Sequence, residues 1–251
     1  MYKIEQDMPS REFIEAWNAA GAHIQRQADT GLSWLRATPV PPMAEHLSFR
    51  IGNQIFFLFI EAAEFRYREK SSLFDDVCKE ANAVPCLMPM VMHGGAWMPQ
   101  LPGWGLKHAH TQAPLNPLDL VSDALIEMTD WEVHDFGIEI VVRSLEDEGK
   151  QVFSRQSDRN IDPSIWFRDA SGPHFVIVRA ARYPAAHASL PDHVESIKQN
   201  CSGMSRSGFF ASVVMASADD PLDPNANENG NVMPLYRGHG LYPKFEGLRP
   251  L

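Results

Sequence analysis

Sliding the chain against itself by 118 positions, without a gap, lays Asp29 on Asp147, Gly31 on Gly149, Leu47 on Ile165, Phe49-Arg50 on Phe167-Arg168, Phe57 on Phe175 and Ala62-Ala63 on Ala180-Ala181. The matches keep one order, which accidental identities have no reason to do. Whatever elements the first half forms, the second must then form in the same sequence. Further on, a pattern Met-Pro-x-x-x-Gly-x-Gly-Leu is written at Met98–Leu106 and again at Met233–Leu241. We therefore expect two related α/β repeats, 1–117 and 118–251. The fold class is α+β, an internal duplication of an αβββαβ(β) unit forming a pseudo-dimer with mixed or antiparallel sheets.

Local patterns supply the elements. Ser10 is an N-cap, and Phe13, Trp17, Ala20, Ile24 and Ala28 recur at helical spacing until Gly31, read as the C′ glycine. A short strand follows around Trp34. Leu47–Ile51 and Ile55–Ile60 flank Gly52-Asn53, the strongest hairpin signal in the chain. The second of these strands is apolar on both faces, so it should be central and covered on both sides. Leu73, Val77 and Ala81 mark a helix from Ser71 or Ser72. Pro85–Met92 is another buried strand, which Pro89 pushes towards an edge or a bulge.

Residues 93–117 form a long Gly/Pro/Trp/His-rich loop, and Leu118–Met128 a short apolar helix. Thr129-Asp-Trp-Glu132 is a capping box opening a helix through Phe136, Ile140, Val141 and Leu145 to Gly149. Strands at Gln151–Ser154 and Gly208–Met215 and a helix at Val194 and Ile197 then replay the first half. Ala218–Val232 is polar and reads as a mobile loop.

Composition removes several classes of function. With 22 Lys+Arg against 32 Asp+Glu, the net charge of -10 argues against nucleic acid as a partner. Cys78, Cys86 and Cys201 have no metal-type spacing and an odd count, which points to a reducing cytoplasm. The longest apolar run, Ile55–Ile60, cannot span a bilayer, and residues 1–7 carry no signal-peptide core. Walker A, G-x-G-x-x-G and G-x-S-x-G patterns are missing, so no nucleotide cofactor is expected and His93-Gly-Gly95 has no nucleophile elbow to serve.

The remaining candidates are few. His108-Ala-His110, with His93 and in principle His134, has the donor chemistry of a metal site. Trp97, Trp104, Tyr236 and His239, on or beside the two motif copies, are the candidate binding contacts, set against the alternative that they plug the ends of their own sheets. Asp162-Pro163 at the start of one strand, followed by the apolar strand Phe175–Ala181, has the layout of an acid preceding an E-x-K on the next strand, but the E-x-K place reads Ile177-Val-Arg179, and Glu61-Ala-Ala63 in the first half. Arg50, Arg168, Arg179 and Arg182 are either a groove-lining set or ordinary surface charges.

On that layout and the order αβββαβ, each half resembles the restriction-endonuclease-like core, which implies metal-dependent hydrolysis. Neither half carries both the acid and the lysine at those positions, so an active copy is not implied. With one more strand per half, the order resembles the type III secretion chaperone-like fold, which implies binding of protein segments without a cofactor. The sequence therefore favours a non-catalytic binding or assembly protein with a protein or peptide partner. The alternative is a metal-dependent hydrolase using Asp162, Glu127, Glu132 or the histidines.

Overall fold

The computed structural model describes residues 9–28, 31–37, 46–63, 72–222 and 232–251. The chain divides into two compact units, the described residues up to Ile126 and those from Glu127 to Leu251. Most of the polar run expected to be mobile, and the charged stretch Glu64–Lys70, lie outside the described residues. No described helix is long and apolar enough to cross a membrane.

The N-terminal unit runs α1 (Arg11–Gln27), β1 (Leu32–Arg36), β2 (His46–Ile51), β3 (Gln54–Glu61), α2 (Ser72–Glu80), β4 (Val84–His93), β5 (Ala96–Pro99), β6 (Leu106–His108) and β7 (Pro114–Leu115). Its sheet order is β1-β2-β3-β4-β6-β7, with β5 also on β4. The pairings are antiparallel except β3 with β4, which α2 connects in parallel. Ser10 caps α1 by accepting from the Phe13 N–H at 3.1 Å. The helix lays Ala16, Trp17, Ala20 and Ile24 on Phe56, Leu58 and Ile60, while Phe57 and Phe59 on the alternate positions meet Phe74 of α2. The unbroken apolar run of β3 is thus a central strand with a helix on each face.

The C-terminal unit runs α3 (Asp130–Asp147), β8 (Gln151–Arg155), β9 (Ile165–Asp169), β10 (Gly172–Arg182), α4 (Val194–Cys201), β11 (Gly208–Ser217), β12 (Leu241–Phe245) and β13 (Arg249–Pro250). The sheet order is β12-β11-β10-β9-β8, β13 also lies on β11, and only β10 and β11 are parallel. α3 opens with both halves of the Thr129/Glu132 capping box and covers Phe167, Val176, Val178 and Val213. Gly137 lets it approach closely, since a Cβ there would sit 3.2 Å from that of Ala180. α4 covers the other face at Trp166, Phe175, Ile177 and Phe210.

The two sheets agree in register as well as order. β1–β2 slips between Trp34 and Arg36, and β8–β9 between Val152 and Ser154, each 118 positions on. Phe49 faces Phe56 and Phe167 faces His174, again 118 apart. Beyond the crossover, Phe57 pairs Pro85 where Phe175 pairs Gly208, so the second connection is five residues longer.

Several expectations are corrected. The stretch 93–117 is not one loop but contains β5, β6 and β7. The helix expected at 118–128 is only a 3-10 turn, Pro117–Leu120: Leu118, Leu120 and Leu125 point outward, and the chain is held extended by Asn53. That side chain donates to the Ser122 hydroxyl and the Ala124 carbonyl and accepts from the Ser122 N–H. α1 ends at Gln27 with Ala28 as C-cap, so Gly31, although at φ +83°, lies beyond C′; Gly149, at φ +77°, does follow the Glu148 cap.

The two motif copies also occupy different places. Met98-Pro99 lies within β5 and Leu106 opens β6, whereas Leu241 opens β12. By its pairing with β11, β12 takes the position of β5, and β13 that of β6. Pro89, contrary to expectation, puts its strand neither at an edge nor in a bulge: β4 lies between β3 and β6, and its pairing with β3 runs to Pro89 without a register shift. It sits at the end of the β3 pairing, where the other neighbour of β4 changes from β6 to β5, so its missing N–H breaks no ladder there.

Candidate functional site

A polar group of the C-terminal unit surrounds Asp162, just before β9. Both Asp162 oxygens accept from Arg179 on β10, at 2.9 and 2.5 Å, and His193 Nε2 is 3.7 Å away. The Asp162 side chain is buried. A planar guanidinium matched to a carboxylate in this fork is among the stronger pairings available to side chains. A guanidinium has donors only and does not serve as a proton acceptor, so Arg179 cannot take the part of a deprotonating lysine.

The loop carrying Asp162 is fixed from within. Gln156 donates to the Ile161 carbonyl, and its own carbonyl accepts from the Asp158 N–H at 2.7 Å. Ser157 donates to Asp135, and Arg155 pairs with Glu139. Arg159 and Arg182 both reach Asp130, at 2.9 and 3.4 Å. Among them His134 of α3 is buried with no partner for Nε2 among the described residues. Burial first, then Arg179 and Arg159, pushes this imidazole down to about 3. It stays neutral at physiological pH.

Two further constellations are structural. Asp169 Oδ1 accepts from the Ser171 N–H and hydroxyl and lies 2.9 Å from His174 Nε2, which is 3.0 Å from the same hydroxyl. These are the residue types of a nucleophilic triad, but one ring nitrogen faces both partners, so no relay through the imidazole exists. The group closes the β9–β10 turn. Hydrogen bonds from Ser171 and then His174 hold the Asp169 carboxyl below its ordinary range.

Glu132 is likewise occupied. It completes the capping box and forms a buried bidentate pair with Arg237 at 2.9 and 2.8 Å. Glu127 is exposed and 3.8 Å from Arg182. In the N-terminal unit Glu61 meets Lys107 of β6 at 2.9 Å, an acid–lysine contact that sequence spacing did not reveal.

The three candidate metal histidines do not converge. His93 ends β4, whereas His108 pairs with Cys86 seven strand positions earlier, roughly 23 Å along the sheet. His108 Nδ1 accepts from the His110 N–H at 3.2 Å, and burial, then His110, lowers its pKa. His110 stands 3.5 Å from Asp75. Among the described residues, no three His, Cys, Asp or Glu side chains are grouped so as to hold a metal ion.

Of the binding candidates, Trp104 is buried in the α1-side core and Trp97 packs against it half-buried. Tyr236 and His239 lie in the C-terminal unit, ring to ring at 5.8 Å with His239 exposed. The arginines are dispersed too: Arg50 bonds Gly52 and Ser33, and Arg168 lies over Phe153.

Residues 131–251 match a family model described as a domain of unknown function (DUF8840). The match takes in almost all of the C-terminal unit, including Asp162, Arg179, His134 and Arg237, and just under half of the chain. No curated protein and no solved structure matches the chain.

Sequence reasoning missed Arg237. A lone arginine inside a glycine-bearing motif gives no sign that its partner lies 105 residues away.

Proposed function

We propose that this protein is a non-catalytic binding or assembly module for a protein or peptide partner, built on two copies of a nuclease-like core. The observation that carries this reading is the closed Asp162–Arg179 pair. At the position where a metal-dependent nuclease needs a free carboxylate and a lysine, both oxygens are taken by a guanidinium. The shared register of the two sheets supports the duplication.

A surface suited to a partner exists in the N-terminal unit. β4 and β5 continue as a two-stranded ribbon past the end of β3, with Val91 opposite Met98, both exposed, and Met92 opposite the half-buried Trp97. Exposed apolar residues grouped this way mark interaction sites more often than scattered ones do. A chaperone-like role is consistent with such a ribbon.

The test joins both halves of the reading. The purified chain, incubated with single- and double-stranded DNA and with Mg²⁺ or Mn²⁺, should leave the DNA intact. Substituting Val91→Ser and Met98→Ser together should abolish retention of a partner found by crosslinking without changing the melting temperature by more than a few degrees. Metal-dependent cleavage that disappears in Asp162→Ala would overturn the proposal in favour of the hydrolase, which the αβββαβ layout around Asp162 keeps as the second reading.

A further inference from the structure

We propose that the uncovered face of β11 and β12 is a binding cleft for a monoanion with an apolar body, its carboxylate held by Arg249 and the Ser212 hydroxyl. α4 is only eight residues long and shields the sheet at Trp166, Phe175, Ile177 and Phe210. Beyond Phe210 the same face continues as Ser212 and Val214, which no described helix covers. There lies a cleft of about 350 Å³, walled by Ala186, His187 and Ala188 on one side and by Lys244 and 246–250 on the other. That volume is at the lower end for small-ligand sites.

The strand edge creates it. β12 pairs with β11 up to Val213–Phe245, β13 pairs at Phe210–Arg249, and Glu246-Gly247-Leu248 leaves the ladder between them. Arg249 therefore stands opposite Phe210 and Lys244 opposite Val214, with Ser212 between, the two cations being roughly 13 Å apart along the strand.

The charges are unequal in kind. Lys244 is bound to Glu246 at 2.9 Å, and His187 is 3.9 Å from the same carboxylate. Arg249 lies over the Phe210 ring, 5.1 Å from its centroid, and makes no ion pair among the described residues. Stacking holds the guanidinium while leaving its N–H fork free for a planar carboxylate. Ser212 Oγ accepts from the Ala188 N–H at 2.8 Å, which orients it, and its own proton has no acceptor among the described residues.

One unneutralised cation and one hydroxyl suit a single negative charge. A polyanion would find no second free cation there, because Lys244 is already bound to Glu246. Val214, Leu248, Ala186 and Ala188 supply an apolar part of the lining, beside the polar His187, Lys244 and Glu246. A carboxylate on an aliphatic small molecule and the C-terminal carboxylate of an apolar peptide share this chemistry.

The inference rests on residues other than the Asp162–Arg179 pair, so either can fail alone. Calorimetry on the full chain would use octanoate, an acetylated Ala-Val-Leu peptide with a free C-terminus, the same peptide amidated, and inorganic phosphate. At least one carboxylate probe should saturate below about 1 mM, the amide should bind at least tenfold more weakly, and phosphate should not bind measurably. Which carboxylate binds identifies the source. Arg249→Gln, at an exposed position, should weaken that probe at least tenfold, whereas Lys244→Gln should change it less than threefold. Equal binding of acid and amide, preference for phosphate, no saturation by any probe, or an unaffected Arg249→Gln would each overturn the proposal.

Discussion

Removing Arg237 should destabilise the C-terminal unit far more than removing a surface arginine. Its side chain is 1 % exposed and that of Glu132 is 6 % exposed, with two hydrogen bonds between them. Replacing Arg237 by Met keeps an apolar chain of similar length but strands a buried carboxylate, which costs about 3–5 kcal/mol. With a urea slope of about 2 kcal/mol per molar, the midpoint should fall by roughly 1.5–2.5 M.

Glu132→Gln in the same background removes the stranded charge and keeps an acceptor for the Thr129 N–H, as a capping box allows. The double variant should therefore recover more than half of the loss. Trp131 and Trp166 are the tryptophans of this unit and report its unfolding by fluorescence. A loss below about 1 kcal/mol, the size of an exposed pair, would refute the reasoning. So would additive single losses in the double variant, since partners in one buried bond must couple.

Acid should weaken the same unit through His134. Its pKa in the folded chain, about 3, lies below the ordinary value, so the unfolded chain binds more protons between those limits. Its stabilising effect is complete above about pH 6.5 and is lost as pH falls towards 3, by a few kcal/mol at full extent. Urea midpoints measured across that window should show a slope that His134→Gln reduces, and an unchanged slope would contradict the assignment. In the N-terminal unit Gly52→Ala should cost about 2 kcal/mol or more. The residue sits at φ +56° and its Cβ would fall 2.5 Å from Val121 Cγ1. A melting temperature within a degree of the parent would show that the strap at 121 is not held there.

The sequence by itself determined the elements whose signals are local: the capped helices α1 and α3, the Gly52-Asn53 hairpin, and a central β3 that must be covered twice. The 118-residue offset was also legible, because side-chain periods of two and 3.6 write packing faces directly into the order of residues. The first motif copy deceived for the same reason. Its letters match the second copy, but strand pairing depends on partners far along the chain, and those place Leu106 and Leu241 on strands that are not equivalent. Leu118–Met128 has the apolar content of a helix, but Asn53, some seventy residues earlier, holds it extended.

Site chemistry depended most on tertiary structure. The sequence placed Asp162 ahead of one strand and Arg179 on the next but could not say that they face and close each other. Nor could it bring Arg237 to Glu132, Lys107 to Glu61, or Ser212 and Arg249 to one cleft. A charge is described by its neighbours in space, and only the folded sheet decides whether an acid is free to ligate, buried in a pair, or left at a rim.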